Sequence, residues 1–152
     1  MLIVSDTAGR SLELIYLLEQ CWSRDNSGFD AYPLVFLSSV AVQVVEFAKS
    51  LIEWMSDKLM NTFEASRRNP FDVKRTRLCH SLDELADIAS LGPLVVVAAG
   101  HDLESGFARD VFLDWVQCPL NTVLITTRSA PGTLARFFVD NKQVRFLSLR
   151  EN

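Results

Sequence analysis

Short apolar runs and amphipathic stretches alternate along this chain. Residues 2–5, 32–37, 94–99 and 122–126 are near-continuous apolar runs bounded by turn residues, the pattern of strands covered on both faces. Residues 73–79 and 144–149 are further strand segments, and 73–79 is more polar, which suits a place nearer an edge. The run at 94–99 is fully apolar and rich in valine, so it predicts a buried central strand. Between these runs the spacing turns helical. Leu12, Ile15, Leu18 and Trp22, with Leu14 and Cys21, recur at three- and four-residue intervals. Val44, Phe47, Leu51, Met55 and Leu59 form a second stripe, which predicts one long helix over 40–63, ended by Pro70. Ser81 and Glu84 make a capping box ahead of a short helix. Phe107, Val111, Phe112 and Trp115 mark another helix, and Leu134, Phe137 and Phe138 a last short one.

Six strand signals joined by helical segments predict an α/β fold of three layers. Its sheet of about six strands is mainly parallel, with helices on both faces. The 152 residues suit a single domain, 1–152. The apolar share of 49% is high, and Met1 runs straight into an apolar strand, which reads as a domain cut from a larger protein. A net charge of −4 gives no overall field for a phosphate backbone, so any nucleic-acid contact must come from a local patch. The three cysteines are scattered and odd in number, which points to a reducing compartment rather than a disulfide framework. No window approaches the length of a membrane span, so no membrane partner is expected.

In open α/β sheets, ligands sit at the carboxyl ends of strands. Three segments should converge there: residues 6–10, 100–106 and 128–133. Asp6-Thr7-Ala8-Gly9-Arg10 runs from a strand into a helix start, where free amides hold an anion or where Asp6 or Thr7 simply caps the helix. Arg10 in the first turn opposes the helix dipole, which calls for a phosphate or a neighbouring carboxylate. His101 and Asp102 stand beside Glu104, yet neighbouring side chains rarely converge on one ion, and no second His or Cys lies at ligand spacing. Neither a metal nor a cofactor is expected. Arg67, Arg68, Lys74, Arg75 and Arg77 form the one local basic excess, with no aromatic platform beside it.

Gly132-Thr133-Leu134-Ala135-Arg136-Phe137 resembles the Gly-Thr-Leu-Ala-x-His motif of the β-CASP family of RNA nucleases. The last position serves a metal site in active members. Here it is Phe137, whose ring neither ligates zinc nor relays a proton. Asp6-Thr7-Ala8-Gly9-Arg10, the segment Glu104-Ser105-Gly106-Phe107-Ala108-Arg109-Asp110-Val111-Phe112 and residues 45–59 around Trp54 and Met55 are similar to the nuclease-like, non-catalytic branch of that family. The resemblance implies a Rossmann-like β-CASP domain with no catalytic residue, Phe137 marking a degenerate motif position. It implies a nuclear protein of the pre-mRNA 3′-end cleavage and polyadenylation machinery. Its partners would be a catalytic β-CASP nuclease subunit and other factors of that complex, with pre-mRNA bound only weakly by the domain alone. Arg10, Arg128, Arg136, Arg67 and Arg68 are the candidate anion, RNA or interdomain contacts. The alternative is the lid domain of an active zinc-dependent β-CASP ribonuclease. The family's metal motif, His-x-His-x-Asp-His, is absent from these residues and in the family lies in a separate domain.

Overall fold

The computed structural model describes residues 1–24 and 28–141. Five of the predicted strands form one sheet: β1 (Leu2–Ser5), β2 (Leu34–Leu37), β3 (Thr76–Cys79), β4 (Val95–Ala99) and β5 (Val123–Ile125). The sixth predicted strand, at 144–149, lies outside the described residues. The order is β3-β2-β4-β1-β5 and every pairing is parallel. The polar segment is indeed an edge, as β3, and β4 is central between β2 and β1. In β4, Val96, Val97 and Ala98 are fully buried, whereas Val95, at the start, is only half-buried.

Alternation along the strands sends successive side chains to opposite faces, and helices cover both. One face carries Val4, Val35, Leu37, Val96 and Ala98. It is covered by α4 (Leu82–Ala89), α5 (Gly106–Trp115) and α6 (Leu134–Asp140), through Leu85, Ile88, Val111, Phe112 and Ala135. The other face carries Ile3, Leu34, Phe36 and Val97 and is covered by α1 (Gly9–Trp22) and α2 (Ala41–Ser50). The three-layer prediction therefore holds.

The predicted long helix does not. The chain leaves the helix at Leu51 (φ −97°, ψ 17°), makes a 3₁₀ turn at Ile52–Trp54 and restarts as α3 (Asp57–Ser66). A straight helix over 40–63 would run about 36 Å, far beyond strands of about 13 Å. The break keeps the apolar face over the core. The buried line of α2 is Ala41, Val45 and Ala48, continued by Ile52. The stripe expected from spacing lies off that line: Phe47 is 66% and Leu51 48% exposed. Pro70 is not the terminator either, because α3 already stops at Ser66, with Arg67 in the left-handed region at φ 55°.

Caps follow the sequence more closely. The Ser81 hydroxyl accepts the Glu84 amide at 3.2 Å, while the Glu84 carboxylate reaches back to the amide of His80, one residue before the usual partner. Among the described residues no helix is long and apolar enough to cross a membrane. Cys21, Cys79 and Cys118 are free thiols.

Candidate functional site at the strand ends

The chain leaves β1 and β2 towards one face of the sheet and leaves β4, which stands between them, towards the other. Such reversals open a crevice beyond the strand ends. A cavity of about 350 Å³ lies there, lined by Thr7 after β1, Ser38 and Ser39 after β2, Gly100 after β4, and Gly106 and Asp110 of α5.

The turn that brings Thr7 to the crevice after β1 is held by Asp6. Its Oδ2 accepts the Arg10 amide at 2.9 Å and its Oδ1 the Ser11 amide at 3.0 Å, while the Ser11 hydroxyl donates to the Asp6 carbonyl. Partial burial pushes the Asp6 pKa up. The Ser11 and Arg10 amides, with the Ser11 hydroxyl and the Gly9 amide, outweigh that and hold it below the ordinary carboxylate value. The amides that would bind an anion are thus already taken by a carboxylate of the same chain. Gly9 permits this, since a Cβ there would stand 2.8 Å from Asp6 Oδ2. The charge of Arg10 is met by Glu13, 2.7 Å away on the exposed side of α1.

The β4 wall is a tight loop. Gly100 (φ 127°) has no room for a side chain: a Cβ would lie 2.9 Å from the Ser105 carbonyl oxygen and 3.2 Å from the Ala108 methyl. Leu103 is fully buried at φ 60°, a left-handed conformation held by its packing into the core. Ser105 precedes α5 in an extended conformation and its side chain makes no capping bond. The His101 Nε2 and Asp102 Oδ2 atoms do meet, at 3.1 Å, so these neighbours form a pair. No third group joins them: among the described residues no three His, Cys, Asp or Glu side chains gather at a metal-binding distance. Thr7, Ser38 and Ser39 offer hydroxyls to the crevice beside the Asp110 carboxylate, and neither histidine is among its lining residues.

The third predicted segment, 128–133, does not line this crevice. The helix that follows it, α6, docks on the β4 loop. Glu104 accepts the Leu134 amide at the start of α6, and the Asp102 carbonyl accepts the Ala135 amide at 3.1 Å. The Glu104 carbonyl also takes the Arg109 guanidinium at 2.9 Å, which ties the α5 and α6 starts together. Thr133 completes the α6 cap on the Arg136 amide. Phe137 does not pack inward with Leu134, although both mark the predicted helix. Phe137 is 60% exposed, and its neighbour Phe138 makes the core contact, edge-on to Phe112 at 5.1 Å. With seven residues in α6 and Ala135 buried, the ring at 138 comes round to the sheet and 137 turns away.

The five candidate arginines are not gathered at the crevice. Arg136 pairs with Asp140 at 2.8 Å, Arg128 is exposed on the loop before α6, and Arg67 and Arg68 are exposed past the end of α3. Two features escaped the sequence reading. Ser38 and Ser39 directly follow a buried strand, a position that the strand-end rule could have flagged. Glu19 is only 8% exposed, on α1, and nothing in the sequence marks it as an acceptor.

The Beta-Casp domain model matches residues 11–138. Similar proteins include a probable cleavage and polyadenylation specificity factor subunit 2 from Drosophila melanogaster, 51% identical over 93% of this chain and 18% of the relative. Cleavage and polyadenylation specificity factor subunit 2 from Arabidopsis thaliana is 41% identical over 98% of this chain and 20% of its own length. Endoribonuclease YSH1 from Saccharomyces cerevisiae is 31% identical over 86% of the chain and 17% of the enzyme. The chain thus spans about a fifth of the length of these relatives. The family match over most of the chain accords with the parallel three-layer fold and with the Gly-Thr-Leu-Ala motif at the head of α6: this chain belongs to the Beta-Casp domain family.

Proposed function

We propose that this domain is a non-catalytic scaffold unit of a nuclear pre-mRNA cleavage and polyadenylation complex, where it pairs with a catalytic β-CASP nuclease subunit. The observation that carries this is Phe137, an exposed phenyl ring at the position where active members present an imidazole. The described residues of this chain do not fit a zinc site: no set of three ligand side chains gathers, and Phe137 supplies none. The crevice lining offers hydroxyls and one carboxylate but no histidine, thiol or lysine. The relatives named as polyadenylation factor subunits, at 41–51% identity, support the pathway. Cells depleted of the full-length protein should accumulate transcripts that read through polyadenylation sites, and the purified protein with zinc should leave single-stranded RNA intact. Normal 3′ ends after depletion would remove the pathway.

A second reading, the lid of an active zinc-dependent ribonuclease, is favoured by the 31% identity to a yeast endoribonuclease. Zinc-dependent cleavage by the full-length protein alone would select it over the scaffold reading.

A further inference from the structure

At the opposite end of the sheet, ahead of β2 and β3, lies a second and more polar pocket of about 300 Å³. Lys74, Arg75 and Arg77 line it from the entry to β3, and Asp30, Tyr32 and Trp22 line it from the end of α1 and the following turn. The sequence places these two sets some forty residues apart, which is why no aromatic platform was expected beside the basic run. The fold supplies one. Tyr32 is 44% exposed, and the indole of Trp22 stacks on Phe29 with ring centres 4.8 Å apart. The Trp22 Nε1 donates to the Tyr32 carbonyl at 2.8 Å, which fixes the turn that carries the tyrosine.

The basic side is fixed as well. The buried Glu19 carboxylate accepts the amides of Lys74 at 2.6 Å and Arg75 at 2.7 Å. Their backbone is clamped while their side chains stay exposed. Among the lining side chains three cations face the single Asp30 carboxylate, while the Glu19 carboxylate is buried behind them and engaged by backbone amides, so the exposed lining is positive on a chain of net charge −4. Asp30 holds Arg75 at 3.1 Å, an ion pair open to solvent and so readily exchanged for a phosphate.

We propose that this pocket is a contact site for single-stranded RNA, its cations holding phosphate and its exposed tyrosine ring stacking a base. Cations beside an aromatic face are the elements of single-strand binding, and a ring reaches a base face only where the bases are unpaired. A pocket of this size takes one nucleotide rather than a duplex. The site is separate from the strand-end crevice, and the proposal stands whether or not the domain works in a processing complex.

The test titrates the 152-residue chain against a short fluorescein-labelled oligouridine at about 50 and about 200 mM salt. Wild-type binding should be weak, with Kd of about 1–100 μM, and fall steeply with salt. Lys74→Ala with Arg77→Ala should weaken it about tenfold or more and lower the salt slope by about two. Tyr32→Ala should weaken it at least about fivefold at both salts, and an abasic strand of equal length should lose a similar factor. Asp30→Asn, which frees Arg75, should tighten binding by about two- to fivefold. Arg67→Ala with Arg68→Ala, outside the pocket, should stay within about twofold of wild type. Circular dichroism of each variant checks that the fold is kept, and the Asp30→Asn gain needs no loss of structure to be read. Absence of saturable binding at low salt overturns the proposal. So does equal affinity for the abasic strand, or an equal loss in the Arg67 and Arg68 variant. Tighter binding of a phosphoserine peptide than of RNA, indifferent to Tyr32→Ala, would assign the pocket to a phosphorylated protein instead.

Discussion

Glu19 and Thr76, on α1 and at the first residue of β3, are joined by two hydrogen bonds. The Glu19 Oε2 accepts the Thr76 amide at 3.0 Å and its hydroxyl at 2.7 Å. With the Lys74 and Arg75 amides on Oε1, one buried carboxylate satisfies four donors. These are the donors that an edge strand would otherwise leave bare at its entry.

Removing that acceptor strands all four at once. Glu19→Ala should therefore destabilise the domain by about 2–4 kcal/mol, read as a lower denaturant midpoint. Glu19→Gln keeps one oxygen but turns an amide donor on the same amides, and should fall between the two. A Glu19→Ala midpoint equal to wild type would mean that the β3 entry is held by other contacts.

Asp6 should make stability depend on pH in acid. Its pKa is lowered on folding, so the folded chain holds the ionised form more tightly than the unfolded chain does. The stabilisation is therefore complete above the unfolded pKa of about 4 and is lost as pH falls through the lower folded value. Asp6→Asn retains a capping oxygen without the charge. Its stability deficit should be constant from about pH 5 to 7 and shrink steadily below about 4. A deficit that grows in acid would reverse the assigned sign.

Gly100→Ala tests the loop that carries the crevice and seats α6. The new methyl would meet the Ser105 carbonyl oxygen at 2.9 Å, on a backbone at φ 127° that disfavours any Cβ. The expected cost is about 2–4 kcal/mol, from strain and displacement of the α5 start together. Amide exchange should quicken at Leu134 and Ala135, whose N–H groups donate hydrogen bonds to this loop. A variant as stable as wild type would show that the loop relaxes freely.

Phe137 and Phe138 should respond oppositely. Phe137→His changes an exposed ring, so the denaturant midpoint should move by no more than about 0.5 kcal/mol equivalent. Phe138→Ala removes the edge-on contact with Phe112 and should cost about 2–3 kcal/mol. Equal losses in the two variants would mean that α6 is rotated from the orientation described.

What the sequence determined by itself is what arises within one stretch of chain. The valine run of β4 is apolar throughout because both faces are covered, so its central place was visible before any pairing was known. Asp6 binds the first-turn amides of a helix that begins three residues later, Ser81 caps one that begins at the next residue, and the Gly-Thr-Leu-Ala motif stands where α6 starts. Ser56 before Asp57 marks a helix start at α3, but the tertiary structure decided that α2 had to break ahead of it, because the limit is the length of the strands beneath. It also decided which of two adjacent phenylalanines faces the core, since a seven-residue helix has too few turns for its period to show. The Glu19 clasp spans 57 residues, and the aromatic turn meets the basic strand entry across some forty. A carboxylate on a helix reads as solvated and a basic run as a free surface until folding brings them together, because hydrogen bonding and charge act through space and leave no period along the chain.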